Sequence, residues 1–171
     1  MQERGAVAAL TADDRGHRAR DSAGAGRSLR LRVATAAVAV LVIVVDQVTK
    51  SVAVADFSRQ PLHLVCPLSF QVAYNSGVAF SLFRGLTLWI VGLGLVLVCV
   101  LLAISRRMRS PLGAVSIGLV MGGALSNLAD RLFRPHGGAV IDWIATRYWP
   151  TFNVADACIV VGVILFLWAG R

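Results

Sequence analysis

Residues 86–105 read LTLWIVGLGLVLVCVLLAIS, a run of about twenty positions without a charge. An α-helix rises about 1.5 Å per residue, so about twenty apolar residues cross the hydrocarbon core of a bilayer. This stretch decides the fold class. The chain is expected to be a mainly α membrane protein, and its other segments are read against this one.

Working outward, three more apolar segments appear. Leu31 to about Ala55 is interrupted by Asp46, Gln47 and Lys50. Its charge-free part, Val33 to Val45, is too short to span alone, so the span takes in Asp46 and Lys50. Leu112 to Ala129 is rich in small residues (Gly113, Gly118, Gly122, Gly123, Ala124), which let helix backbones approach closely in lipid. Asp130-Arg131 is expected to end that helix. Phe152 to Gly170 is the last span. All five prolines fall outside the four segments, as helix boundaries require. A secretory signal peptide, with Ala53-Val54-Ala55 as cleavage site, is the rival reading of the first segment. Three further spans, and charges between its apolar run and the cleavage site, speak against it.

Composition agrees. Hydrophobic residues make up 57% and charged residues 15% of 171 positions, against about 25% charged in soluble domains. The net charge of +8 is almost wholly arginine, since Lys50 is the only lysine. Its distribution points to a membrane face and not to nucleic acid. Cys66, Cys99 and Cys158 form no CxxC pair, which argues against a disulfide framework or zinc. Residues 1–30 are polar, rich in Arg, Ala, Gly and Ser, and are expected to be a disordered basic tail. Residues 31–171 form the membrane domain.

Between the spans, Leu68, Phe70, Val72 and Tyr74 alternate with Ser69, Gln71 and Ala73, a strand pattern. Asn75-Ser76-Gly77 reads as a turn, with Val78 to Phe83 as a returning strand. A small sheet on the outer surface follows. Residues 132–151, with Pro135, Gly137-Gly138 and Pro150, read as a second polar connection.

Lysine and arginine set orientation. The tail carries seven arginines (Arg4, Arg15, Arg18, Arg20, Arg27, Arg30, Arg32), and Arg106, Arg107 and Arg109 form a short loop. Both termini are therefore expected in the cytoplasm, and the 56–85 and 132–151 connections outside. Asp46 with Lys50, Asn127 with Asp130 and Arg131, and Asn153 with Asp156 then all fall at outer ends of spans. Their i,i+3 and i,i+4 spacings put each set on one helix face.

Asp142 and Asp156 stand in apolar surroundings, where an unpaired carboxylate is costly and marks a functional site. Two such groups close together share a proton. One can then take a proton from water while the other polarises a peptide carbonyl, hydrolysing it without metal or covalent intermediate. No HExxH or paired-histidine spacing is present; His17, His63 and His136 stand apart. Asp46 with Lys50 reads as a structural ion pair, and Asp130 as the group orienting Arg131. Asn75 fits either a turn or a carbonyl-binding role; Asn127 and Asn153 fit substrate contact or helix–helix hydrogen bonds. Arg131 fits the site or an interfacial anchor, and Trp143, Tyr148 and Trp149 fit an interfacial belt. The runner-up function is a carrier moving protons or cations through the carboxylates, but the inner halves of all four spans are apolar. A structural or scaffolding membrane protein has no evident reason to collect these groups at one depth.

Five motifs also carry a resemblance. They are Asp46-Gln47-Val48-Thr49-Lys50, Asn75-Ser76-Gly77-Val78-Ala79-Phe80, Gly122-Gly123-Ala124-Leu125-Ser126-Asn127 continuing to Asp130-Arg131, Val140-Ile141-Asp142, and Phe152-Asn153-Val154-Ala155-Asp156. In this order they resemble the lipoprotein signal peptidases (signal peptidase II), bacterial membrane aspartyl peptidases. The resemblance covers residue 31 onward. It implies four helices with a small extracytoplasmic β-sheet, Asp142 and Asp156 as catalytic dyad, and Asn75, Asn127, Arg131 and Asn153 lining the substrate site. Asp46, Lys50 and Asp130 would give structural polar support. The implied substrate is a diacylglyceryl-modified prolipoprotein, cut just before its lipidated cysteine by a monomer in the inner membrane among its lipids, with no cofactor, metal or nucleic acid. The family usually has Gly where Ser126 stands.

Overall fold

In a computed structural model the chain forms four helices and one three-stranded sheet. The structure describes residues 24–64, 68–76, 89–106 and 110–169, with the helical backbone of 2–23 and 86–88. The elements are α1 (Gln2–Phe57), β1 (Leu62–His63), β2 (Leu68–Asn75), α2 (Leu86–Ser105), α3 (Pro111–Phe133), β3 (Val140–Thr146) and α4 (Val154–Ala169).

The α2 bounds agree with the sequence reading. The first helix differs: residues 24–30 are already helical. Ala, Leu and Arg are helix formers, and extending an existing helix needs no new nucleus. The rest of the expected tail, residues 1–23, lies outside the described side chains. The third helix continues one turn past Asp130, to Phe133. It opens on Ser110, whose side chain accepts from the Gly113 amide, with Pro111 next; proline suits that position because no helical partner awaits its missing N–H.

Along α1, Leu31, Thr35, Ala39, Val42, Asp46, Lys50 and Ala53 are buried, a stripe at helical period. It meets the small-residue face of α3. A Cβ on Gly118 would lie 2.8 Å from the Thr35 carbonyl oxygen, and one on Gly122 would lie 2.7 Å from that of Ala39. Thr35 donates to the Ala114 carbonyl, and Gln47 to Ser126. Residue numbers rise together along this seam, so α1 and α3 run parallel. A Cβ on Gly123 would lie 2.5 Å from the Ala155 carbonyl oxygen, and one on Gly162 would lie 2.8 Å from that of Ser116. Those contacts make α4 antiparallel to α3. Ala39, Leu101, Ile117, Val120 and Met121 fill the space between helices. Outward-facing Val44, Val48, Leu93, Val96, Ile164 and Leu167 are exposed, an apolar perimeter that no water-soluble surface would present. Among the described residues, two helices are long and apolar enough to cross a membrane, Gly24–Phe57 and Pro111–Phe133; Trp89–Ser105 and Val154–Ala169 are shorter and apolar.

The sheet order is β1-β2-β3, all antiparallel. The strand expected over Leu68–Tyr74 is β2. Its expected partner, 78–83, lies outside the described residues. Its observed partner is β3, which the sequence reading took for irregular connection. Val140, Ile141, Trp143, Ile144 and Thr146 are strand-forming residues, and the aspartate among them masked the pattern. Phe70 packs edge-on to Trp143 at 5.1 Å and against Phe57 at 5.5 Å. Trp143 is therefore a sheet-packing residue. Phe152, expected to open the fourth helix, instead bridges to Ile144.

Candidate active site

The register between β2 and β3 sets Ala73 opposite Asp142 and Asn75 opposite Val140. Asn75 Nδ2 then donates to Asp142 Oδ2 at 2.9 Å. The turn entering β3 has Gly137 and Gly138 at φ 64° and 81°, a left-handed region that residues with a side chain rarely adopt.

Asp156 arrives by a different route. Asn153 caps α4: its Oδ1 accepts from the Asp156 amide at 2.9 Å, and Asp156 Oδ2 accepts from the Asn153 amide at 3.1 Å. This reciprocal arrangement is a capping box built from Asn and Asp. The i,i+3 relation is real, but Asn153 stands before the helix and not on its face.

One side chain joins the two acids. Asn153 Nδ2 donates to Asp142 Oδ1 at 2.7 Å and lies 3.1 Å from Asn127 Oδ1. Asn127 Nδ2 in turn donates to Asp156 Oδ1 at 2.8 Å. Asn153 is fully buried, and Asp142 is 2% exposed. The three asparagines are thus occupied in holding carboxylates. Burial pushes the Asp142 carboxyl up to about 6; the nearby Asp156 charge adds to the rise, while the bonds from Asn75 and Asn153 and the charge of Lys50 oppose it. Asp156 is only partly buried, and heads a cleft of about 370 Å³ lined by Trp149, Phe152, Ala157, Val160 and Val161.

Behind Asp142 and Asp156 lies a buried charge cluster. Lys50 Nζ reaches Asp46 Oδ2 at 2.7 Å, Asp130 Oδ2 at 2.8 Å and Asn127 Oδ1 at 2.8 Å. An ammonium has three donors, and all three are used. The expected Asp46–Lys50 pair is present, with Asp130 as a second counterion. The expected pairing of Asp130 with Arg131 does not form, because successive helical residues point in different directions. Asp130 instead takes Arg134, one turn on, and Gln47, at 3.1 and 2.8 Å. Arg131 donates to the Gly138 carbonyl at 2.8 Å and to that of Ser76 at 3.5 Å. It ties the end of β2 to the turn before β3.

Sequence reasoning gave no role to Gln47, Ser126 or Arg134. Ser126 Oγ donates to Asp46 Oδ2 at 2.7 Å. Arg134 Nη2 donates to Gln47 Oε1 at 2.9 Å. The i,i+4 spacing of Asp130 and Arg134 was an available signal; the Ser126 contact crosses helices and had none. Among the described residues, no three His, Cys, Asp or Glu side chains converge as metal ligands would.

A lipoprotein signal peptidase of Rhodococcus jostii is 43% identical over 71% of this chain and 64% of its own length. That of Mycobacterium tuberculosis is 40% identical over 72% of this chain and 63% of its own. The chain thus spans under two thirds of the length of these curated relatives. A solved bacterial membrane enzyme superposes with TM-score 0.71 at 26% identity, covering 79% of this chain and 90% of that one. A second gives 0.67 at 27% identity, covering 79% and 85%. The family described as Signal peptidase (SPase) II matches residues 38–170, most of the chain, and the chain belongs to that family.

Proposed function

We propose that the protein is a membrane aspartic endopeptidase. It removes the signal peptide from diacylglyceryl-modified prolipoproteins, cutting just before the lipidated cysteine. The observation that carries this reading is that Asn153 holds Asp142 and caps the helix turn bearing Asp156. Two carboxylates from separate elements meet through one amide. Asp142, buried and high in pKa, keeps the shared proton and donates it to the scissile carbonyl. Asp156, open to the cleft, takes a proton from the attacking water. Asp156 then passes its proton to the leaving amine while a hydroxyl of the tetrahedral intermediate returns one to Asp142, so that C–N cleavage leaves the pair with one proton, as it began. Asn75, Asn127 and Asn153 keep the carboxyl groups in place, and Arg131 holds the two connections that border the site.

Four spans with both termini in the cytoplasm agree with the parallel α1–α3 and antiparallel α3–α4 packing. The sheet and dyad then lie at the outer face of the inner membrane. The apolar cleft running from Asp156 along α4 suits a lipid-bearing substrate. The carrier alternative asks for titratable groups through the bilayer. Instead the buried charges Asp46, Lys50, Asp130 and Asp142 meet at one end of the bundle.

Purified protein in detergent should release the signal peptide from a lipidated prolipoprotein and leave the unlipidated precursor intact. Equal cleavage of both would refute the substrate assignment. No cleavage of either, by protein that is folded, would refute the peptidase reading.

A further inference from the structure

We propose that Asp46, Lys50 and Asp130 are positioning residues that fix the spacing between the two backbone segments carrying the dyad. The inference rests on the dyad reading above and extends it to groups that touch neither substrate nor water. Asp46 Oδ1 accepts from the Ala155 amide at 2.8 Å, immediately before Asp156. Asp130 Oδ2 accepts from the Ile141 amide at 3.2 Å, immediately before Asp142. Each acid therefore grips the peptide one residue ahead of a catalytic carboxylate, at the same offset. Lys50 clamps the two acids together, and its third donor holds Asn127, which in turn holds Asp156. All three charged side chains are fully buried.

Both amides are buried donors that need an acceptor in any case; what sets them apart is that each immediately precedes one of the two proposed catalytic carboxylates. Two buried acids on one lysine is an expensive arrangement, often replaceable by apolar packing without loss of stability. What apolar packing cannot reproduce is the tie to both amides. Ser126 Oγ adds a further donor to Asp46. It stiffens the grip on Ala155.

The test uses the full-length protein in detergent with lipidated prolipoprotein. Three variants are measured for kcat, KM, pH profile and thermal unfolding. Lys50→Met removes the clamp. Asp46→Asn/Lys50→Met removes it with charge balanced, and keeps a carbonyl oxygen for the Ala155 amide. Ser126→Ala leaves every charge in place. Folded Lys50→Met and the double variant should each lose about 100-fold in kcat, the scale of an ångström-sized misplacement, with KM within about twofold. Asp142 is faced by Asp156 of α4, Arg131 of α3 and Lys50 of α1. Losing Lys50 should therefore also move the high-pH limb of kcat/KM upward.

A kcat within about threefold of wild type in either folded charge variant overturns the proposal. So does a loss confined to KM, or an unmoved limb, each of which reduces the cluster to scaffold. Should neither charge variant fold, Ser126→Ala decides. A kcat lowered about threefold at unchanged KM supports positioning, and an unchanged kcat overturns it. Asp142→Asn in the same assay separates the two readings. Cleavage surviving there sinks the dyad itself, whereas an inactive Asp142→Asn beside a fully active double variant sinks only the positioning role.

Discussion

At one end of the α1–α3 seam, Gly118 and Gly122 bring two backbones into contact, and the buried hydroxyl of Thr35 is satisfied by helix carbonyls. At the other end of the same seam, Asp46, Gln47, Lys50, Ser126, Asn127 and Asp130 bond across it. The first half is close packing, whose strength is dispersion between complementary surfaces. The second half is a polar network, costly to desolvate and strong only when every group is paired. The difference teaches where geometry matters. A fully paired network has one arrangement, and Asp142 and Asp156 are attached to it.

The packed half can be broken most severely. In Gly122→Val the new side chain would meet the Ala39 carbonyl oxygen and Cα and the Val42 side chain. The Ala39 backbone cannot give way, so α1 and α3 must separate. The expected cost is at or above the upper end of about 1–3 kcal/mol for overpacking. Thermal unfolding of purified protein checks it, and an unfolding temperature equal to wild type would contradict the packing described.

The polar half should respond in chemistry more than in stability. Burial and the Asp156 charge favour the protonated form of Asp142, so on the proposed mechanism its proton is held below about pH 6 and lost above it. Because kcat/KM reports the free enzyme, it should fall as pH rises through that region. Asn75 donates to the ionised form and opposes the shift. Asn75→Ala should therefore push the limb to higher pH while lowering kcat about tenfold, the scale of one hydrogen bond to a charged group. A limb that moves down, or stays, would remove Asn75 from the dyad.

The same contrast explains what could be read from sequence. Helix positions were legible because apolar length and proline placement are local signals; α2 runs from Leu86 to Ser105 as expected. The gathering of polar groups at one end followed from orientation alone. The pairings did not follow. Asp130 bonds Lys50, Gln47 and Arg134 rather than Arg131 because side-chain direction on a helix is fixed by rotation, not adjacency. Strand β3 was hidden because its central aspartate and aromatic neighbours resembled a surface connection. Asn153 was recognised as close to Asp156, but its work as a cap linking both acids needed the backbone path around Phe152.

The most direct test is single-turnover cleavage of lipidated prolipoprotein by Asp142→Asn and by Asp156→Asn at about pH 6. The proposed dyad requires both variants to fall about 1000-fold or more, within the range for loss of general acid–base catalysis, while unfolding remains cooperative and near wild type. Either variant cleaving within about tenfold of wild type would show that the hydrolysis does not depend on the pair.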